Sequence, residues 1–334
     1  RSFITDIGSN PVSLKIVKSL TALCADMGLD ERAPPAIDAP SASEIRLLHE
    51  KHEALRRISR PELDALYSEA REISGIVILT NAKGEILDAV GDPGFADKAA
   101  QVALRPGILW SEDGTGTNAI GTALAERRSV VVNGGEHYFQ SHQVLTCSAT
   151  PIIDPRGATI GVLDISLPAT QPSGHVLGMV RMAVEQIEHR LFRNGFDGCR
   201  TLRFQTDPNL LGAAREGILV LKDGIVVAAN RRGLSLVGRT WEGLDQLHVE
   251  EIFDTNAAHL ASGRLKGQDG RDFFAQFEGE STGPILSTAP QQSLEDIELS
   301  SIRQALEAHG GNVSAAARHL GIHRSTIYRR IQGI

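Results

Sequence analysis

The stretch Asn312-Val-Ser-Ala-Ala-Ala-Arg-His-Leu-Gly-Ile-His-Arg-Ser-Thr-Ile-Tyr-Arg-Arg330 decides how this chain ends. Asn312 is a good N-cap, and Ala315, Ala316, Ala317 and Leu320 fill a short helix behind it. Gly321-Ile322 turns the chain, and Ser325 to Ile331 returns to helix. Ala317 lies four residues before Gly321 and Ile327 six after it. A small residue lets two helices cross closely, glycine allows the tight turn, and the isoleucine plugs the angle between them. That arrangement is an all-α helix-turn-helix whose last element is the recognition helix.

Upstream of it, Ser293-Leu-Glu-Asp296 reads as a helix start, with Ser at the N-cap and an acid three residues on, before apolar Ile297, Ile302 and Leu306. That helix ends at His309-Gly310-Gly311, where glycine accepts a left-handed backbone. From 311 to 334 there are Arg318, Arg324, Arg329 and Arg330 and no acid, although the whole chain carries a net charge of −7. Guanidinium groups make bidentate contacts to phosphates and guanine edges, while Ser325, Thr326 and Tyr328 can bond phosphates or bases. Double-stranded DNA is the expected partner, with Arg324, Ser325, Thr326 and Arg329 facing the major groove and Arg318 and Arg330 on phosphates. The bland alternative is a small helical cap with a solvated basic face.

The rest of the chain changes character region by region. Residues 1–70 read as helical and polar: Pro11 to Met27 and Glu44 to Ala70 have helical spacing, around a proline-marked loop from Ala33 to Ser43. In 71–195, Gly75 to Thr80 and Glu85 to Val90 flank the turn Asn81 to Gly84 as a β-hairpin. Ser129 to Val132 and Gly157 to Ile165 read as further strands, and Ala96 to Leu104 and Thr117 to Ala125 as helices. The helix 175–193 spaces Leu177, Val180, Val184, Ile187 and Leu191 as a short heptad seam. Packing on its own sheet explains that seam as well as dimerisation does. Residues 200–280 repeat the sheet pattern, with a hairpin around Lys222-Asp-Gly224, a helical middle and a strand pattern from Gln268 to Phe277. Residues 281–292 lack any period and read as a linker, and 293–334 is the helix-turn-helix. The fold class is α+β with an all-α C-terminus.

Composition narrows the function. At 334 residues the chain has room for two or three domains. No run approaches the ~18 apolar residues of a membrane span, and no secretory signal opens the chain, so a cytoplasmic protein is expected. Three scattered cysteines, Cys24, Cys147 and Cys199, suit neither a disulfide framework nor a CxxC zinc site. The net negative charge excludes a uniformly basic nucleic-acid coat and leaves the local basic element at the C-terminus.

The segment 312–330 resembles the Fis-type helix-turn-helix that closes bacterial sigma-54-dependent activators. Independently, Trp110-Ser-Glu-Asp-Gly-Thr-Gly-Thr-Asn-Ala-Ile-Gly-Thr-Ala-Leu124 resembles the GAF motif of the acetoin-catabolism and dihydroxyacetone-kinase regulators of that group. Gly135-Glu-His137, Cys147-Ser-Ala-Thr-Pro-Ile152 and Gly157 to Ser166 do likewise, and 200–280 resembles the PAS-like domain that follows. The resemblance implies a GAF sensor, a PAS-like domain and a DNA-reading head, acting as a homodimer. RNA polymerase and a small-molecule or protein effector are further partners it leaves open. Those activators carry a central ATPase, yet no G-x-x-x-x-G-K-[ST] occurs here: Gly279-Glu-Ser-Thr-Gly283 continues with Pro284-Ile285 and has no lysine. Neither ATP hydrolysis nor any other catalysis is expected of the chain, and no cofactor.

Within the GAF region, Trp110, Glu112, Thr115, Thr117, Asn118 and His137 are the candidate ligand contacts, since such pockets combine apolar walls with a few placed polar groups. The glycine-rich run 114–121 lacks dinucleotide-binding spacing and reads as a structural turn. Glu136, His137, His142 and Cys147 could ligate a metal by type, but their irregular spacing and their place in the GAF motif favour framework. Two other functions compete: a GAF-fold adaptor that binds a partner protein, and a thiol enzyme acting through Cys147.

Overall fold

A computed structural model describes residues 30–32, 39–91, 103–193, 195–255 and 261–278, and of the C-terminal stretch residues 313 and 317. The helix expected from Pro11 to Met27, most of that from Ala96 to Leu104, the linker and nearly all of the helix-turn-helix lie outside the described residues. The chain divides into two compact units, 1–280 and 281–334. Among the described residues no helix is long and apolar enough to cross a membrane.

The first unit opens with α1 (Ala42–Lys51), whose N-cap Ser41 accepts from Glu44 N while Glu44 accepts from Ser41 N. The long α2 (Glu53–Glu72) follows and buries Leu63, Leu66 and Ala70. Then come β1 (Ile76–Asn81), β2 (Ile86–Gly91), the single turn α3 (Glu112–Thr115), α4 (Ala119–Glu126), β3 (Val130–Asn133), β4 (Leu145–Ile153), β5 (Thr159–Pro168) and α5 (Val176–Arg190). The five strands form one antiparallel sheet in the order β2-β1-β5-β4-β3. Both faces are covered. Val77, Leu79, Leu163, Ile165 and Leu167 pack against α2 and α5, whereas Ile78, Ile86, Val132, Ala149 and Val162 pack against Ala119, Ile120 and Ala123 of α4.

This packing resolves the heptad seam. Val180, Val184 and Ile187 are buried in the core between α5 and the sheet, with Val176 and Ala183 beside them. They are therefore not an interface between copies. A helix lying over a sheet needs the same apolar stripe that a coiled coil needs, so spacing alone cannot separate the two.

A second antiparallel sheet runs β8-β7-β6-β10-β9. Its elements are β6 (Arg200–Gln205), β7 (Gly217–Lys222), β8 (Ile225–Ala229), α6 (Arg231–Leu236), β9 (Gly263–Lys266) and β10 (Asp272–Glu278). The β7–β8 turn is Asp223-Gly224, with φ of 51° and 81°, the left-handed pair that matches hairpin twist. The expected strand from Gln268 starts later: Gly267 to Arg271 is the turn joining β9 to β10. The core centres on Phe204, Phe253 and Phe273, each edge-on to the others at 5.4–5.7 Å between centroids.

Candidate functional site

The six candidate contacts of the GAF region divide sharply by what holds them. Asn118 is the N-cap of α4: its Oδ1 accepts from Gly121 N at 2.8 Å, and its Nδ2 donates to Gly116 O and to Thr115 Oγ1. Thr115 in turn donates to Ser111 O at 2.7 Å. Glu112 accepts from Thr122 Oγ1 at 2.5 Å, and burial pushes its carboxyl above the usual range. Thr117 is buried, and its carbonyl accepts from Tyr138 N. Asn118, Thr115 and Glu112 hold the α3–α4 corner together by these bonds, and Thr117 ties it to Tyr138.

Trp110 and His137 lie in an aromatic box. The Trp110 indole is buried, donates to Ala103 O at 3.2 Å and stacks on His142 with centroids 4.8 Å apart. His137 meets the same His142 edge-on at 6.5 Å, and Phe139 does so at 5.6 Å. His137 Nδ1 lies 3.0 Å from Gly134 O, so that nitrogen carries the proton, and the buried Nε2 presents a lone pair with no partner among the described residues. Burial lowers the basicity of His137 and takes His142 down to about 4, helped by the neighbouring His137. Both shifts favour the neutral imidazole.

The side chains named as metal-capable do not converge. Cys147 faces Ser166 in the sheet, and Glu136 accepts from Asn133 N at a surface turn. Burial raises the Cys147 thiol well above its ordinary value, with Asp164 adding to the effect.

Sequence reasoning passed over Asp164. On β5 it pairs with Ile78 of β1 and Ala149 of β4, in the middle of the face covered by α4. Its signal was present in Val162-Leu-Asp-Ile-Ser-Leu167, an acid at an inward position of an apolar strand. Its carboxyl is completely buried and is pushed up to about 7 by that burial, although Ser166 draws it back in part.

The two sheets of the first unit are tied by buried charge. Glu188 on α5 accepts from Ile153 N and Arg231 Nη2, both at 2.9 Å. Glu216, just before β7, accepts from His189 Nε2 at 2.9 Å, from Gly212 N at 2.6 Å and from Arg203. Burial would raise the Glu216 carboxyl, but those donors together hold it below the usual range.

Of the C-terminal head, Val313 and Ala317 are helical, and Ala317 is buried, as a helix-crossing residue must be. Arg318, Arg324, Ser325, Thr326, Tyr328, Arg329 and Arg330 lie outside the described residues. Residues 293–332 match the family of bacterial regulatory proteins of the Fis type, and residues 34–189 match the MimR N-terminal domain. One chain thus carries a match to the MimR N-terminal domain and a match to the Fis family.

The chain is also similar to curated transcriptional regulators. The chain is 29% identical over 226 residues to the acetoin catabolism regulatory protein of Cupriavidus necator, covering 62% of this chain and 34% of that protein. It is 32% identical over 223 residues to the propane 2-monooxygenase operon transcriptional activator MimR of Mycolicibacterium smegmatis, covering 63% and 37%. It is 32% identical over 149 residues to the acetoin dehydrogenase operon transcriptional activator AcoR of Bacillus subtilis, covering 45% and 25%. The chain thus spans between a quarter and just over a third of the length of these relatives. Among solved structures, the E. coli DhaR(N)–DhaL complex superposes with a TM-score of 0.51 at 12% identity, over 80% of this chain and 99% of that one. That similarity concerns the fold alone.

Proposed function

We propose that this protein regulates transcription, reading DNA through its Fis-family head under the control of the MimR-type domain and the second sheet. The observation that carries the reading is the joining, in one chain, of a Fis-family match at 293–332, with its arginine-rich end, to a MimR N-terminal match at 34–189. The relatives named as a catabolism regulator and as operon activators support it, since each shares a similar stretch. The head works as a pair, because such heads address half-sites about one helical turn apart. With the α5 seam spent on the sheet, the sequence of 293–309 offers an apolar helix face for that pairing. The protein acts in the cytoplasm, where DNA and RNA polymerase are accessible.

Catalysis is no part of this reading. A buried Cys147 with a raised thiol pKa is a poor nucleophile, because the thiolate is the reactive form. The sequence holds no phosphate-binding G-x-x-x-x-G-K-[ST], so the chain turns over no ATP by itself. The test is nuclease footprinting of the full chain across the DNA flanking its own gene. Protection of two half-sites about one turn apart, insensitive to ATP, is expected. Uniform binding to cognate and scrambled DNA would overturn the proposal.

A further inference from the structure

A groove of about 540 Å³ opens where α2, α5 and the segment 210–215 meet, on the far side of the first sheet from α4. That volume matches sites that receive a whole ligand rather than one side chain. Each helix lends it one stripe. Glu62, Ala65, Leu66 and Glu69 come from α2, and Met179, Met182, Ala183 and Gln186 from α5. Both sets are spaced i, i+3, i+4, i+7, so each helix shows the groove two turns of a single face, about 10 Å long. Leu210, Ala213 and Ala214 line the third side.

The floor is apolar yet exposed. Leu66 and Ala183 are buried at its base, while Ala65 and Ala213 are exposed and Met182 is 57% exposed. Two of the chain's three methionines lie here. An unbranched thioether adapts to irregular neighbours, which suits a surface covered by side chains from outside. The rim is acidic, with Glu62, Glu69 and Glu185 lining it against Arg215 alone. Arg190 pairs with Glu62, and Arg215 stands 3.8 Å from Glu185. Glu69 is exposed and joins no ion pair among the described residues, so it is the carboxylate that an incoming cation meets first.

We propose that this groove binds a basic amphipathic helix of a partner protein, its apolar stripe laid between α2 and α5 and its lysines or arginines over the glutamates. Two facing stripes, each two turns long, are the shape that a third helix fills. A second copy docking this face by two-fold symmetry would bring the acidic rims against each other. An acidic helix would meet the same repulsion. The groove is separate from the α3–α4 corner and the histidine box, and the proposal stands whether or not the chain reads DNA.

The probe is a synthetic helix of roughly 18 residues, beyond the length at which isolated helices are marginal, with leucine at i, i+3, i+4 and i+7 and lysine elsewhere. Two controls accompany it: the same peptide with glutamate for every lysine, and one of the same composition with its leucines scrambled off the stripe. Fluorescence anisotropy with the full chain should show binding of the striped lysine peptide alone. Met182→Asp makes the protein more negative, so loose electrostatic adhesion would strengthen, whereas seating in the groove should weaken about tenfold. The exposure of Met182 lets the fold tolerate the change. Glu69→Lys should also weaken the lysine peptide and let the glutamate peptide bind. Light scattering should report the same mass for the wild type and Met182→Asp. Equal lysine-peptide affinity in Met182→Asp, scrambled peptide bound as tightly as striped, no binding of any peptide, or a dimer lost in Met182→Asp would overturn the proposal.

Discussion

Glu188 on α5 and Arg231 at the start of α6 join the two sheets through a 2.9 Å hydrogen-bonded ion pair, and Arg231 also reaches Pro151 O at 3.3 Å. The seam continues nearby, where Ala229 N donates to Pro155 O and Arg156 pairs with Asp245. Gly157, at φ +86°, presses its backbone against Trp241, so that a Cβ there would lie 2.5 Å from the indole. Any signal passing from the first sheet to the second meets α5 and this seam first.

Arg231→Ala should therefore loosen the seam. It strands the buried Glu188 carboxylate with one remaining donor, Ile153 N. Arg231 is 41% exposed, so water returns part of the loss, and a destabilisation of about 1–2 kcal/mol is expected. Adding Glu188→Gln should recover most of it, because the neutral amide keeps an acceptor for Ile153 N. Urea denaturation of both variants checks this; an unchanged midpoint in Arg231→Ala would show that the pair carries no stability.

Asp164 should make the protein less stable as pH rises. Its folded pKa of about 7 exceeds the ordinary 3.8, so between those values the folded state keeps a proton that the unfolded state has released. Stability falls across that window by about 4 kcal/mol, at ~1.4 kcal/mol per pH unit, and is fully present only below pH ~4. Asp164→Asn removes the penalty, so the variant should match the wild type near pH 4 and exceed it near pH 8. A gap that does not change with pH would mean that Asp164 is ionised throughout.

His142 tilts the profile the other way. Its folded pKa of about 4 lies below the ordinary 6.5, so on acidification the unfolded state takes up the proton first. Stability is present above pH ~6.5 and is lost as pH falls towards 4, by about 3 kcal/mol. His142→Phe keeps the stack on Trp110 and cannot protonate, so it should remove that acid loss while leaving the Asp164 slope in place. Parallel pH profiles for wild type and variant would show that the imidazole is already charged in the fold.

The sequence made some of this legible and hid the rest for physical reasons. The hairpins at Asn81–Gly84 and Asp223-Gly224 were readable because their turns require particular residues. β4 was not readable as a strand: Leu145-Thr-Cys-Ser-Ala-Thr-Pro-Ile-Ile153 is buried on both faces and shows no alternation. β6 was missed because two arginines interrupt it, and only the fold shows that Arg203 is held by Glu216 and Glu278. The candidate contacts were chosen by residue type near a recognised motif, which found the corner that Asn118 caps. Asp164 and the unmade nitrogens of the histidine box depend on which face of the sheet a strand turns inward, and they emerge only with the register.

The last expectation concerns the head that turns a signal into DNA occupancy. In the proposed orientation Ile327 is the buried anchor, which places Arg324 at the start of the recognition helix, where residues meet base edges first. Arg330 falls near its end, beside the phosphates. Truncating a base-reading side chain to alanine costs ~1–3 kcal/mol and relaxes preference at one base pair, whereas truncating a phosphate-binding one weakens all sequences alike and lowers the salt slope by about one. Arg324→Ala should then narrow the ratio between cognate and scrambled DNA, with the salt slope nearly unchanged. Arg330→Ala should keep that ratio and flatten the slope. Binding isotherms for both variants at several salt concentrations make the comparison, and a wild-type ratio in Arg324→Ala would show that this helix does not read bases through its first turn.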